Sequence, residues 1–248
     1  MKLGPIDKNS SVETQKKNQF LWKLQNIPSG KTTRYYLNAV SADRSYTVGY
    51  DITRGRPLEL FLGGFYQTPS GLIYARADFQ WWIENLFGSA SSFARLHWGL
   101  ALHRDQHLTK KDSEGNLDKT TLELMWRANE GFYLTDPTWG LMLPVQMVSG
   151  DGFSTTAFGL GAFWQTPSAR WAQKFSEWTI IRGRYLPSGT GTDVKLKSAI
   201  EAEMLLSKSL GSGLALQYGA GFEMLKFDPA AEKENTQINL LGGVAWQF

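Results

Sequence analysis

The last fourteen residues, Asn235 to Phe248, constrain the fold more than any other stretch of this chain. They read NTQINLLGGVAWQF. Thr236, Ile238, Leu240, Gly242, Val244, Trp246 and Phe248 fall on one set of alternate positions. Asn235, Gln237, Asn239, Leu241, Gly243, Ala245 and Gln247 fall on the other. Successive side chains of a β-strand point to opposite faces, so the segment predicts a strand with one apolar face and one small or polar face.

The same period of two runs through most of the chain. From Thr33, Tyr35, Leu37 and Ala39 alternate with Arg34, Tyr36 and Asn38. Tyr46 to Ile52, Leu58 to Gln67, Ile73 to Glu84 and Ala94 to His103 repeat the pattern. Thr120 to Ala128, Trp139 to Met147, Phe158 to Trp164, Arg170 to Tyr185, Val194 to Leu206 and Leu214 to Met224 follow. Gly/Pro/Ser clusters such as Thr68-Pro69-Ser70-Gly71 and Gly211-Ser212-Gly213 separate these segments as turns. Polar stretches at 105–118, 187–192 and 228–234 read as loops. Pro144 predicts an interrupted ladder, and a lost phase near Glu177 predicts a bulge. LGGFYQTPSG at 62–71 is echoed by LGAFWQTPSA at 160–169, and the strand order puts the two turns at opposite ends.

The reading is about twelve antiparallel strands over residues 31–248, each long enough to cross a bilayer when tilted. Residues 1–30 differ. Ser10-x-x-Glu13 has capping-box spacing, and Phe20, Leu21 and Leu24 would share a helical face. This predicts a short N-terminal helical or irregular segment, periplasmic or lodged in a lumen. A β-sandwich or lipocalin-like barrel would alternate in the same way. Long strands, ten Trp, and glycines at 49, 63, 99, 219, 221 and 243 on the polar face argue for the membrane form.

With its alternating last strand and terminal Phe248, the chain resembles Gram-negative outer-membrane β-barrel proteins. The resemblance implies an all-β, antiparallel transmembrane barrel in the bacterial outer membrane. It also implies that Trp246 and Phe248 act as a signal to the outer-membrane assembly machinery. Outer-membrane lipid is then an expected partner, and the barrel is expected to be monomeric. The first residues carry charge but no apolar core of a signal peptide, so a mature or trimmed form is expected.

Composition excludes several functions. The absence of cysteine removes disulfides, thiolate metal sites and a Cys nucleophile. A net charge of +3 without a dense basic cluster gives no sign of a nucleic-acid partner. Mean hydropathy is −0.31, which suits strands that face lipid on one side only. No P-loop, zinc signature or dinucleotide fingerprint occurs, and no cofactor is expected.

The polar face carries the candidate pore-lining residues Arg76, Asp78, Arg95, His97, Glu123, Arg127, Lys195, Lys197, Glu201, Glu203 and Glu223. Neighbouring strands could pair these into a salt-bridged interior. Alternatively, they form charged rungs of a narrow pore for small polar or charged solutes, with Arg76, Arg95 and Arg127 as a basic ladder. A structural, secretion or assembly barrel with a plug or partner is the second reading. An outer-membrane lipid hydrolase is the third, with Asp105 orienting His103, but no His-x-Ser motif accompanies it.

Overall fold

A computed structural model gives an all-β chain. It describes residues 2–5, 10–16, 19–24, 32–40, 45–53, 58–83, 98–109, 117–128, 137–150, 152–191, 194–228 and 235–247. Ten antiparallel strands close a barrel. They are β6 (Leu58–Thr68), β7 (Leu72–Ile83), β8 (Trp98–His107), β9 (Asp118–Arg127) and β10 (Thr138–Gly150), followed by β11 (Phe153–Pro167), β12 (Trp178–Gly191), β13 (Lys195–Gly211), β14 (Leu214–Asp228) and β15 (Asn235–Gln247). Each strand pairs with its chain neighbour, and β15 closes the ring by pairing with β6.

The barrel therefore has ten strands where the alternation predicts twelve. The two extra strands exist but lie outside it. β4 (Thr32–Val40) and β5 (Ser45–Thr53) form a hairpin extended by β1 (Lys2–Pro5). β2 (Ser10–Lys16) and β3 (Gln19–Leu24) form a second hairpin. These five strands and the barrel belong to two separate compact units. Alternation shows that a segment is a strand, not which strand it joins. The helix expected in residues 1–30 is likewise replaced by β1, β2 and β3. Phe20, Trp22 and Leu24 also recur at period two, which competes with the helical spacing.

The closing seam has a local cause. Leu62-Gly63-Gly64 in β6 meets Leu241-Gly242-Gly243 in β15, with Gly63 opposite Gly243 and Gly64 opposite Gly242. A Cβ on Gly243 would lie 2.6 Å from Gly63 Cα and 2.6 Å from the Phe61 ring. Only glycine lets the two strands approach while the Phe61 ring lies across them.

Other departures follow from bulges and turns. Pairing of β10 with β11 skips Leu143 and Pro144, but the register on either side is unchanged. Register shifts occur instead at Phe158/Leu160 and Leu196/Ser198. The segment 168–177 is a compact turn, so β12 starts at Trp178 and runs through the expected loop to Gly191. Short turns do not gather at one end of the barrel with long connections at the other. The end that carries Gln247 also carries the connections 84–97, 128–137 and 168–177. The turns at 69–71 and 168–169 do lie at opposite ends.

Large apolar side chains stand exposed on the outer wall, and a charged cluster is buried inside beside apolar ones. Leu62, Leu143, Phe158 and Leu160 on the outer wall are 56, 49, 62 and 67% exposed. Glu123, on the inner face, is 1% exposed. Trp81, Trp139, Trp164 and Trp246 mark the outer wall near the end where β15 finishes.

Candidate functional site in the barrel lumen

The alternation that turns apolar side chains outward aims the polar ones at the barrel axis. There they form one continuous ion-pair network. Arg76 Nε lies 2.7 Å from Asp105 Oδ1 and its Nη2 lies 3.0 Å from Oδ2, a bidentate pair. The same guanidinium pairs with Glu203. Lys119 Nζ is 2.5 Å from Glu223, 3.5 Å from Glu201 and 3.6 Å from Asp105. Arg184 pairs with Glu123 and, at 3.1 Å, with Glu201. His103 Nδ1 lies 3.0 Å from Asp78 and its Nε2 lies 3.1 Å from Glu123. Gln146 Nε2 donates to Glu201 at 2.7 Å and to Thr121 at 3.3 Å.

The chain of contacts runs Glu203–Arg76–Asp105–Lys119–Glu201–Arg184–Glu123–His103–Asp78, with Glu223 on Lys119. It ties together β7, β8, β9, β12, β13 and β14, and Gln146 adds β10. Each carboxylate is held by an arginine, lysine or histidine. Among the described residues, no three His, Asp or Glu side chains are arranged to hold a metal ion.

Apolar layers lie on both sides of this network. At the end opposite Gln247, Leu117, Val148, Leu186, Leu196, Leu225 and Phe227 form a cluster, each at most 5% exposed. Toward the other end, the Trp82 and Phe163 rings meet at 5.9 Å, beside buried Met125 and Met142. Arg127 stacks over Trp82, with its guanidinium carbon 4.5 Å from the ring centroid. Phe65 stacks on Tyr74 at 4.7 Å. A void lined by Arg76, Lys119, Arg182, Arg184, Glu203 and Asn239 measures about 20 Å³, large enough to admit water.

Arg76, Asp78, Glu123, Arg127, Glu201, Glu203 and Glu223 all face this lumen. Arg76 and Arg127 do not form a ladder. Arg76 sits mid-strand among carboxylates, whereas Arg127 ends β9 against an aromatic ring. Arg95, His97 and Phe248 lie outside the described residues. Lys195 and Lys197 do not line the lumen. The register shift at Leu196/Ser198 turns Leu196 inward, 1% exposed, and leaves both lysines exposed. Asp105 does not orient His103, because the two are successive inward residues of β8 and Asp105 is held by Arg76. Trp246 is half-exposed on the outer wall.

Sequence reasoning missed Lys119, Gln146 and Arg184. Lys119 and Asp105 fell at the edges of a segment read as a loop, although Asp105 keeps the phase of His103. Arg184 was hidden by the lost phase near Glu177. Alternation within Ile180, Arg182, Arg184 and Leu186 against Ile181, Gly183 and Tyr185 carried the signal. Comparison with protein families, curated proteins and solved structures finds no match to this chain.

Proposed function

We propose that this protein is an outer-membrane β-barrel with a lumen closed to solutes, a structural or assembly-type barrel rather than a standing channel. The observation that carries the membrane reading is the contrast between the barrel's two faces. Large apolar side chains cover the outer wall, whereas Arg76, Asp105, Lys119, Glu123 and Glu223 are buried inside. Such an outer surface in water far exceeds the apolar patch a monomer tolerates, whereas hydrocarbon covers it without cost. The closed state is supported by the ion-pair network and the apolar layers that flank it.

A narrow pore for small polar or charged solutes is the second reading. The observation in its favour is that the interior is charged at all. Ion pairs rarely stabilise an interior better than well-packed apolar side chains would, so a barrel that only needs sealing gains little from them. Conduction would require the contacts of Arg76, Lys119 and Arg184 to part.

Single-channel recording of the refolded protein in a planar bilayer separates the two. The closed reading expects inserted protein with no discrete steps at two salt concentrations. Ion-selective steps from the unmodified protein would overturn it in favour of the pore.

A further inference from the structure

The compact turn 168–177 has no role in the lumen. Its backbone makes two successive hydrogen-bonded turns that meet at Ala172: Ala172 N donates to Ala169 O, and Phe175 N and Ser176 N donate to Ala172 O, all at 2.8 Å. Ser168, Ala172 and Ser176 point back to the barrel and are buried. Ser176 Oγ donates to Trp178 O at 2.6 Å, and Ser168 Oγ lies 2.9 Å from it. The far side of the turn is fixed to the outer wall. Tyr218 of β14 donates its hydroxyl to Phe175 O at 2.8 Å. Lys208 of β13 reaches Glu177 at 3.2 Å and Gln173 O at 3.4 Å. The turn is therefore a rigid shelf on the outside of β13 and β14.

What the shelf presents is chemically specific. Trp171 and Phe175 are the large apolar side chains it exposes. They are 81% and 63% exposed. Arg170 and Lys174 stand beside them, both exposed. Trp164 on β11 and Trp246 on β15 lie on the outer wall at the same end of the barrel. Aromatic rings flanked by cations suit the boundary between acyl chains and phosphate headgroups.

We infer that the 168–177 shelf is an interfacial anchor that seats Trp171 and Phe175 at the headgroup boundary and binds the phosphates of anionic phospholipid through Arg170 and Lys174. This inference rests on the membrane reading above. It adds a lipid site on one flank of the barrel, at the end where β15 finishes.

The chain has no cysteine, so a single introduced one can be labelled cleanly. Trp171→Cys, with Gln173→Cys as a second shelf position, would carry a bimane fluorophore. Leu143→Cys serves as a mid-wall reference. Each is refolded into vesicles that contain spin-labelled phosphatidylcholine or phosphatidylglycerol, labelled near the headgroup or at the chain end. The anchor expects shelf labels to be quenched more by headgroup-proximal than by chain-end labels. It also expects a preference for the anionic lipid of about fivefold per cation, lost in Arg170→Gln/Lys174→Gln. Equal quenching by both headgroups overturns the phosphate contact. Shelf labels that stay open to aqueous iodide while position 143 is quenched from the chain end overturn the anchor, leave the membrane reading standing, and point to a protein partner for the shelf. Folded protein with no lipid quenching at any position removes the membrane reading and the anchor with it.

Discussion

Glu123 shows what a single residue does in this interior. It is 1% exposed and holds both Arg184 and His103. Taking a carboxylate out of water is costly, and the cost is offset only while its partners stay in place. Truncation therefore does more than remove two contacts, because it leaves a guanidinium buried without that partner. Glu123→Ala is expected to lower stability by about 3–5 kcal/mol, read from urea unfolding in detergent micelles. Glu123→Gln retains the shape and one acceptor oxygen and is expected to cost clearly less. Residue identity also sets the limit of what the sequence discloses. The inward phase of Arg76, Asp78, Glu123, Glu201, Glu203 and Glu223 could be read from alternation. The outward phase of Lys195 and Lys197 could not, because one extra residue at the Leu196/Ser198 shift reverses the faces beyond it. Which cation meets which carboxylate was equally hidden, since that depends on the stagger between strands.

At the scale of the element, the seam between β6 and β15 decides how many strands the barrel contains. The sequence held a clue in its two Leu-Gly-Gly triplets, but period-two reading sees only small residues there. Adjacent glycines of the same strand differ in what they tolerate. A Cβ at Gly242 meets nothing within 4 Å, whereas one at Gly243 collides with Gly63 and the Phe61 ring. Gly243→Ala is expected to cost about 1–3 kcal/mol through overpacking, and Gly242→Ala to be near neutral. Heat-dependent mobility of the folded form on gel electrophoresis compares them directly. An equal loss from both would mean that backbone freedom, not the close approach, explains the glycines. The 168–177 shelf was unreadable for a different reason. Two tight turns carry no period, so the segment registers only as a lost phase.

At the scale of the whole molecule, the barrel closes through β6 to β15 without help from β1 to β5. A chain lacking residues 1–56 is therefore expected to refold into vesicles with an undiminished β-sheet circular dichroism signal and the same heat-dependent gel shift. Failure to refold would show that the N-terminal unit is needed to form or hold the barrel. If the deleted chain folds but begins to conduct, the closed state of the intact protein owes something to that unit as well as to the ion-pair network.

The single long-range pairing also has a kinetic meaning. Nine of the barrel's ten strand pairings join chain neighbours, and only β6 with β15 joins its two ends. The Gln247–Glu59 hydrogen bond there spans 188 positions of sequence. Loop-closure entropy grows with the logarithm of the span, so this pairing costs about 2 kcal/mol more to bring together than a hairpin of some twenty residues. It is repaid by the ladder of Glu59–Thr68 with Ile238–Gln247 and by Phe61, Phe65, Leu241 and Ala245, which are buried along it. Contact order thus concentrates the folding barrier at one place. The nine hairpins can form in any order, but the ring exists only once this pairing is complete.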